Sequence, residues 1–138
     1  MRCLSDLLPV RTAGVSEDAL AIAEQRLGHR LPEDLREFLR VSNGSQWAEF
    51  PQCGFKVLSL SELTNMSELS ETHRPGPPRL IDVASDGSRE RFCLDPESGH
   101  IVMLDVTWEE GDPPTCARSL TELVSKLADG WNPFELQD

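Results

Sequence analysis

The sequence predicts an α+β fold: a mainly antiparallel sheet of about four to six strands with two N-terminal helices and a C-terminal helix packed on it. Three observations lead there. Strand candidates cluster in the middle of the chain instead of alternating with helices, helical apolar spacing dominates the two ends, and 38% apolar residues with three Trp and five Phe can furnish one core. At 138 residues the chain is one domain, residues 1–138, on the usual scale of roughly 100 to 200 residues per domain.

Ser16 can cap a helix whose first turn holds Glu17 and Asp18, favourable at the positive end of the helix dipole. Leu20, Ala23 and Leu27 then recur at helical spacing until Gly28 ends the run. A second helix is expected with Pro32 at its first position and Leu35, Phe38 and Leu39 on one face, stopped by Asn43-Gly44. The short link Gly28-His29-Arg30-Leu31 makes these two an αα unit.

After Gly44, residues 55–60 alternate like a half-buried strand, and Ser61 to Leu69 reads as a short helix. The stretch His73-Arg74-Pro75-Gly76-Pro77-Pro78 is a loop. Three strands follow, Leu80 to Ala84, Arg91 to Asp95 and His100 to Val106, the last two joined by Pro96-Glu97-Ser98-Gly99, which suits a hairpin on a type I turn. Ile101 to Leu104 is apolar without alternation, as in a central strand buried on both faces. Ser119-Leu120-Thr121-Glu122 is a capping box, and Leu120, Leu123, Val124 and Leu127 form the stripe of a final helix ended by Gly130. The expected core is Leu20, Leu27, Leu35, Phe38, Leu39, Leu58, Phe92, Leu94, Ile101, Met103, Leu123, Val124 and Leu127.

Thirteen Lys plus Arg against 24 Asp plus Glu give a net charge of −11. Such a chain repels phosphate backbones and anionic lipid, so neither nucleic acid nor a membrane is an expected partner. No run approaches the ~18 apolar residues of a spanning helix, and the opening Met1 to Val10, broken by Asp6 and Pro9, does not read as a signal peptide. Cys3, Cys53, Cys93 and Cys116 are dispersed, as reduced thiols are, and a cytoplasmic location is expected.

The same dispersal argues against catalysis and metal. His29, His73 and His100 stand in a helix link, a Pro-rich loop and a strand start, and no nucleophile signature surrounds Cys53 or Cys93, the latter reading as a core thiol. Zinc needs short-spaced Cys and His. A calcium loop over Asp82 and Asp86-Gly87 fails, because Ala84 holds a ligand position and Cys93 stands where the closing Glu belongs, so Asp86-Gly87 reads as a turn. No Gly-rich phosphate loop exists. No cofactor is expected.

The charge is unevenly distributed. Residues 1–44 hold seven acids against six bases, so residues 45–138 carry a net −10. Between Asp95 and Asp112 stand Asp95, Glu97, Asp105, Glu109, Glu110 and Asp112 with no Lys or Arg; Trp108 lies inside the run, and Trp47 follows the second helix. One reading is a solvated acidic face with each Trp in the core. The sharper reading is a binding surface for a basic protein, formed by Trp47, Asp95, Glu97, Trp108, Glu109, Glu110 and Asp112, since interfaces favour Trp anchors and complementary charge speeds encounter.

The segment LGHRLPEDLREFLRVSNGSQW resembles the SUKH superfamily, and the likeness continues through VLSLSEL, IDVASDGSRERFCLD and GHIVMLD to SLTELVSKLADGW, covering about Ser16 to Trp131. At the turn from Asp86 to Glu90 members are often richer in Gly and follow with Tyr, whereas this chain has no Tyr. The superfamily includes fungal regulators of cell-wall assembly and many bacterial immunity proteins that neutralise toxins. The resemblance implies a non-catalytic binding domain, monomeric or weakly dimeric, that blocks a basic nuclease or deaminase toxin domain. The alternatives are a regulatory or scaffolding module without a toxin and, from a different class, a small-ligand binder or enzyme.

Overall fold

The computed structural model describes residues 3–67, 80–87, 90–105 and 113–133. It is an α+β fold of five helices and a six-stranded antiparallel sheet, in which strands β1 (Ala48–Glu49), β2 (Gly54–Val57), β3 (Ile81–Ser85), β4 (Glu90–Leu94), β5 (Ile101–Asp105) and β6 (Thr115–Ala117) neighbour one another in chain order. The helices are α1 (Leu4–Leu7), α2 (Glu17–Leu27), α3 (Glu33–Val41), α4 (Leu60–Ser67) and α5 (Leu120–Ala128).

Caps set the helix limits largely as their residue types dictate. The Ser16 hydroxyl accepts from the Ala19 N–H, and Gly28 closes α2 through its N–H to the Glu24 carbonyl. Pro32 is the cap of α3, outside the first helical position expected of it: its ψ of 150° is extended, so the helix begins at Glu33. At the other end Ser42 stops α3, ahead of Asn43-Gly44. Ser119 accepts from the Glu122 N–H as expected, but the returning arm of the box goes one residue further out, Glu122 accepting from the Arg118 N–H. Asp129 caps α5, one residue before Gly130.

The strand expected over 55–60 is shorter and sits earlier, because Ser59 is a cap. The Ser59 N–H donates to Glu62 at 2.9 Å and the Ser59 hydroxyl accepts from the Glu62 N–H at 3.2 Å, a reciprocal box that starts α4 at Leu60. The Asn43 side-chain oxygen Oδ1 accepts the Leu60 N–H at 2.8 Å, fixing that helix start to the end of α3. The expected strands over 80–84, 91–95 and 100–106 appear as β3, β4 and β5, and the turn between the last two closes through Asp95 N–H to the His100 carbonyl. The expected loop over 73–78 and the end of the expected helix at Leu69 lie outside the described residues.

The sheet is buried on both faces. On one, Phe55, Val57, Ile81, Ala84, Phe92, Leu94, Ile101 and Met103 join the helical residues Leu20, Leu35, Phe38, Leu39, Leu63, Leu123, Val124 and Leu127 in the main core. On the other, Leu80, Cys93, Val102 and Leu104 form a separate buried cluster, which explains the unbroken apolar run of β5. Of the expected core only Leu27 departs, being half-buried against the core because it lies in the last turn of α2.

The N-terminal segment is strapped to this body. Val10 bridges Ser45, Ala13 bridges Ser42, and the Val15 N–H donates to the Leu39 carbonyl at 2.8 Å. Between α2 and α3, the guanidinium of Arg36 lies within ion-pair distance of Glu17 (3.2 Å), Glu24 (3.2 Å) and Glu33 (3.6 Å), with 10% of its side chain exposed. Asp34 accepts from both the N–H and the hydroxyl of Thr121, at 3.0 and 2.8 Å, joining the first turns of α3 and α5.

Candidate functional site

Ser45 sets the course of the chain into β1: its N–H donates to the Val57 carbonyl and its hydroxyl accepts the Val57 N–H at 2.9 Å. Gln46 donates from its backbone to the Pro9 carbonyl and from its side chain to the Val10 carbonyl. Trp47 follows, and the Ala48↔Phe55 register places it across from Lys56, on the sheet face turned away from Phe55. The Lys56 ammonium lies 5.3 Å from the indole centroid, within cation–π reach. With 49% of its surface exposed, Trp47 is not the core residue that one reading of the sequence makes it.

The indole rests on the β3–β4 turn. A Cβ built on Gly87 would stand 2.6 Å from the ring, and Gly87 has φ +85°, so both contact and backbone call for glycine. Asp86 holds that turn as an Asx side chain does, accepting the Glu90 N–H at 3.1 Å, which agrees with reading Asp86-Gly87 as a turn. A recess of about 370 Å³ beside the indole is lined by Arg11, Ser45, Gln46, Trp47 and Lys56.

Glu62 organises the cations here. It accepts from Arg11 at 2.7 Å and from the Ser59 N–H, and its other oxygen lies 3.8 Å from the Lys56 ammonium. Burial works to raise its carboxyl pKa, but the Ser59 N–H, Arg11, the Ser59 hydroxyl and Lys56 together outweigh that and hold it at about 2. A depressed carboxyl contributes stability above its ordinary value of 4.5, and that contribution is lost as pH falls toward 2. Glu62→Gln should therefore be less stable than the wild type at neutral pH and converge on it in acid. Urea midpoints of both proteins from pH 6 to about 2 check this; parallel curves would count against it.

Behind this lies a second polar group on the same sheet face. Arg91 donates to Asp82 from Nε at 2.8 Å and from its terminal nitrogen at 3.4 Å, and the Cys93 thiol meets the same carboxylate at 3.5 Å. Burial, and then the Asp82 charge, push the Cys93 thiol far up, so it is held as an inert thiol. Burial likewise raises Cys53 to about 11 and Cys116 to about 12, and all four cysteines are free. His29 is exposed and His100 half-buried. Among the described residues no group of three or more His, Cys, Asp and Glu is placed to hold a metal.

The structure separates part of the surface expected from the sequence. Trp47 stands beside the β3–β4 turn, whereas half-buried Asp95 and exposed Glu97 occupy the β4–β5 turn at the opposite end of β4, roughly 16 Å away at about 3.3 Å per strand residue. Trp108, Glu109, Glu110 and Asp112 lie outside the described residues. Lys56, Glu62 and Gly87 complete the Trp47 surface; the sequence offered Gly87 only as a turn residue and did not single out Lys56 or Glu62. The signals for two of them are there: Ser59-Leu60-Ser61-Glu62 is a capping-box pattern, and Phe55-Lys56-Val57 alternation turns Lys56 outward.

The structure is thus a small α+β body that holds the Trp47 indole at its surface against Gly87 and Lys56. The family model described as the SMI1 / KNR4 family (SUKH-1) matches residues 14–126, and the chain belongs to that family. None of the curated proteins matches the chain. Membership supports a protein-interaction or immunity-type role in general, in a family that is generally non-catalytic. No helix among the described residues is long and apolar enough to cross a membrane.

Proposed function

We propose that this chain is a bacterial immunity protein that binds a cognate toxin domain in the cytoplasm and blocks its active site without catalysis of its own. The observation that carries the reading is the segregation of charge: residues 45–138 hold a net −10, and the stretch from Asp95 to Asp112 has six acids and no Lys or Arg. Toxin domains that act on RNA or DNA, nucleases and deaminases among them, present basic surfaces to their substrates. An acidic protein can occupy such a surface as a decoy, with association steered by the field of the whole domain.

The direct test mixes the purified chain with the product of the gene beside its own and measures binding and any residual toxin activity of that product. Tight binding with loss of activity supports the reading. Binding that leaves a non-toxic partner fully active would favour a regulatory or scaffolding module, and no binding would overturn the immunity role.

Rim charge acts through long-range attraction, screened beyond ~10 Å at 0.1 M salt, so it governs the on-rate. Exchanging Glu109, Glu110 and Asp112 for Gln, Gln and Asn should slow association severalfold and flatten its salt dependence while leaving the thermal melt in place. Stopped-flow association at two salt concentrations, beside a melt, reads both effects. An unchanged on-rate would make the acidic stretch a solvated face only.

A further inference from the structure

The large apolar side chains left exposed among the described residues are Val10, Ile22, Val41 and Trp47, of which Trp47 is the aromatic. Ile22 and Val41 belong to α2 and α3, whereas the Val10 backbone runs beside the residues that precede Trp47: it bridges Ser45 and its carbonyl accepts the Gln46 side chain. The exposed spot is centred on the Trp47 indole and the recess beside it.

We propose that Trp47, preset by Gly87 and Lys56, is the anchor on which a cationic surface of the toxin partner seats; the inference rests on the immunity reading above. The ring is constrained from several sides. It lies over Gly87, approaches Gly54 (Cε3 3.8 Å from where a Cβ would be) and carries the Lys56 ammonium 5.3 Å from its centroid. A side chain already ordered loses little conformational freedom on binding, which is why fixed aromatics make strong anchors.

The surrounding charge selects the partner. Both cations of the spot, Arg11 and Lys56, are directed at one shared carboxylate, Glu62. Exposed Glu49 stands two residues along β1 on the same sheet face as Trp47, by its pairing with Gly54. With Asp86 in the turn beneath the ring, three acids border the spot against two bases. The local balance favours a basic docking surface, in line with the net −10 of residues 45–138.

The experiment measures the dissociation constant for the neighbouring gene's toxin product, and the thermal midpoint, for wild type, Trp47→Ala and Gly87→Ala. The expected result is that Trp47→Ala weakens binding at least tenfold, mainly through faster dissociation, with its midpoint within a few degrees of wild type. Gly87→Ala should weaken binding severalfold because its methyl displaces a chemically intact indole. Should Gly87→Ala fail to fold, Trp47→Ala decides alone, its ring being half exposed. Wild-type affinity in Trp47→Ala overturns the anchor while leaving the immunity role standing. A large fall in midpoint with unchanged affinity also overturns it, since the ring would then be a structural prop. Absence of binding by the wild type overturns both.

Discussion

Gly14→Ala is expected to destabilise the domain by ~3 kcal/mol, although Gly14 lies at the surface and Ala is only one methyl larger. A Cβ at this position would fall inside the van der Waals shell of the Arg40 carbonyl and within 2.8 Å of the Val41 nitrogen. Both obstacles are backbone at the end of α3, so no rotamer change relieves them. The strap must lift instead, and lifting it stretches the Val15 N–H bond to the Leu39 carbonyl and the bridge from Ala13 to Ser42. Urea denaturation of the variant reads the cost directly. A loss below ~0.5 kcal/mol would mean that the strap moves freely on α3 and that the close approach has no energetic weight.

Arg36→Ala should cost a similar or larger amount, ~3 kcal/mol or more, because it strips the partner from a largely buried carboxylate. Glu24 has 14% of its side chain exposed, faces the Arg36 guanidinium at 3.2 Å and also accepts the Leu31 N–H at 2.7 Å. It cannot swing into water without breaking that bond. Glu17 and Glu33, each more than half exposed, can be resolvated and add less. The contrast that identifies the cause is the double variant Arg36→Met with Glu24→Gln, which removes both charges and keeps the volume and the acceptor for Leu31. It should recover most of the loss seen in Arg36→Met alone. If the double variant is as unstable as the single one, packing of the arginine stem, not the stranded charge, is what matters.

Both positions show how far local signals reach. Ser16, Gly28 and Ser119 act on N–H and carbonyl groups a few residues away, so helices α2 and α5 could be read closely from the sequence, as could the β4–β5 hairpin with its short Gly-closed turn. The apolar run of β5 announced burial on both faces, since nothing but a double-sided core asks for Ile, Val, Met and Leu in succession. The resemblance that starts at the α2–α3 link followed the same local features, and the family match over residues 14–126 agrees with it.

Other features needed the folded chain. Helix α1, with four residues, and strands β1 and β6, with two and three, cover little more than one period of an apolar pattern, too little to read; β1 and β6 form because β2 and β5 supply their hydrogen bonds, and α1 because its Leu4 is buried as it packs on α3 and α5. Of the candidate site, the sequence marked Trp47 as an aromatic of interest but could not say whether it was core or surface. Its exposure was decided by Gly87, 40 positions along the chain, and by Lys56 and Glu62 from two further elements. Gly14 and Arg36 were equally silent, a glycine and an arginine like others in the chain until α3 was laid beside them. Composition, charge and short-range capping are properties of the chain itself, and they determined the fold class, the acidity and the helix ends. Which backbone another residue touches depends on contacts between segments far apart in sequence, and those are made only when the sheet and helices pack.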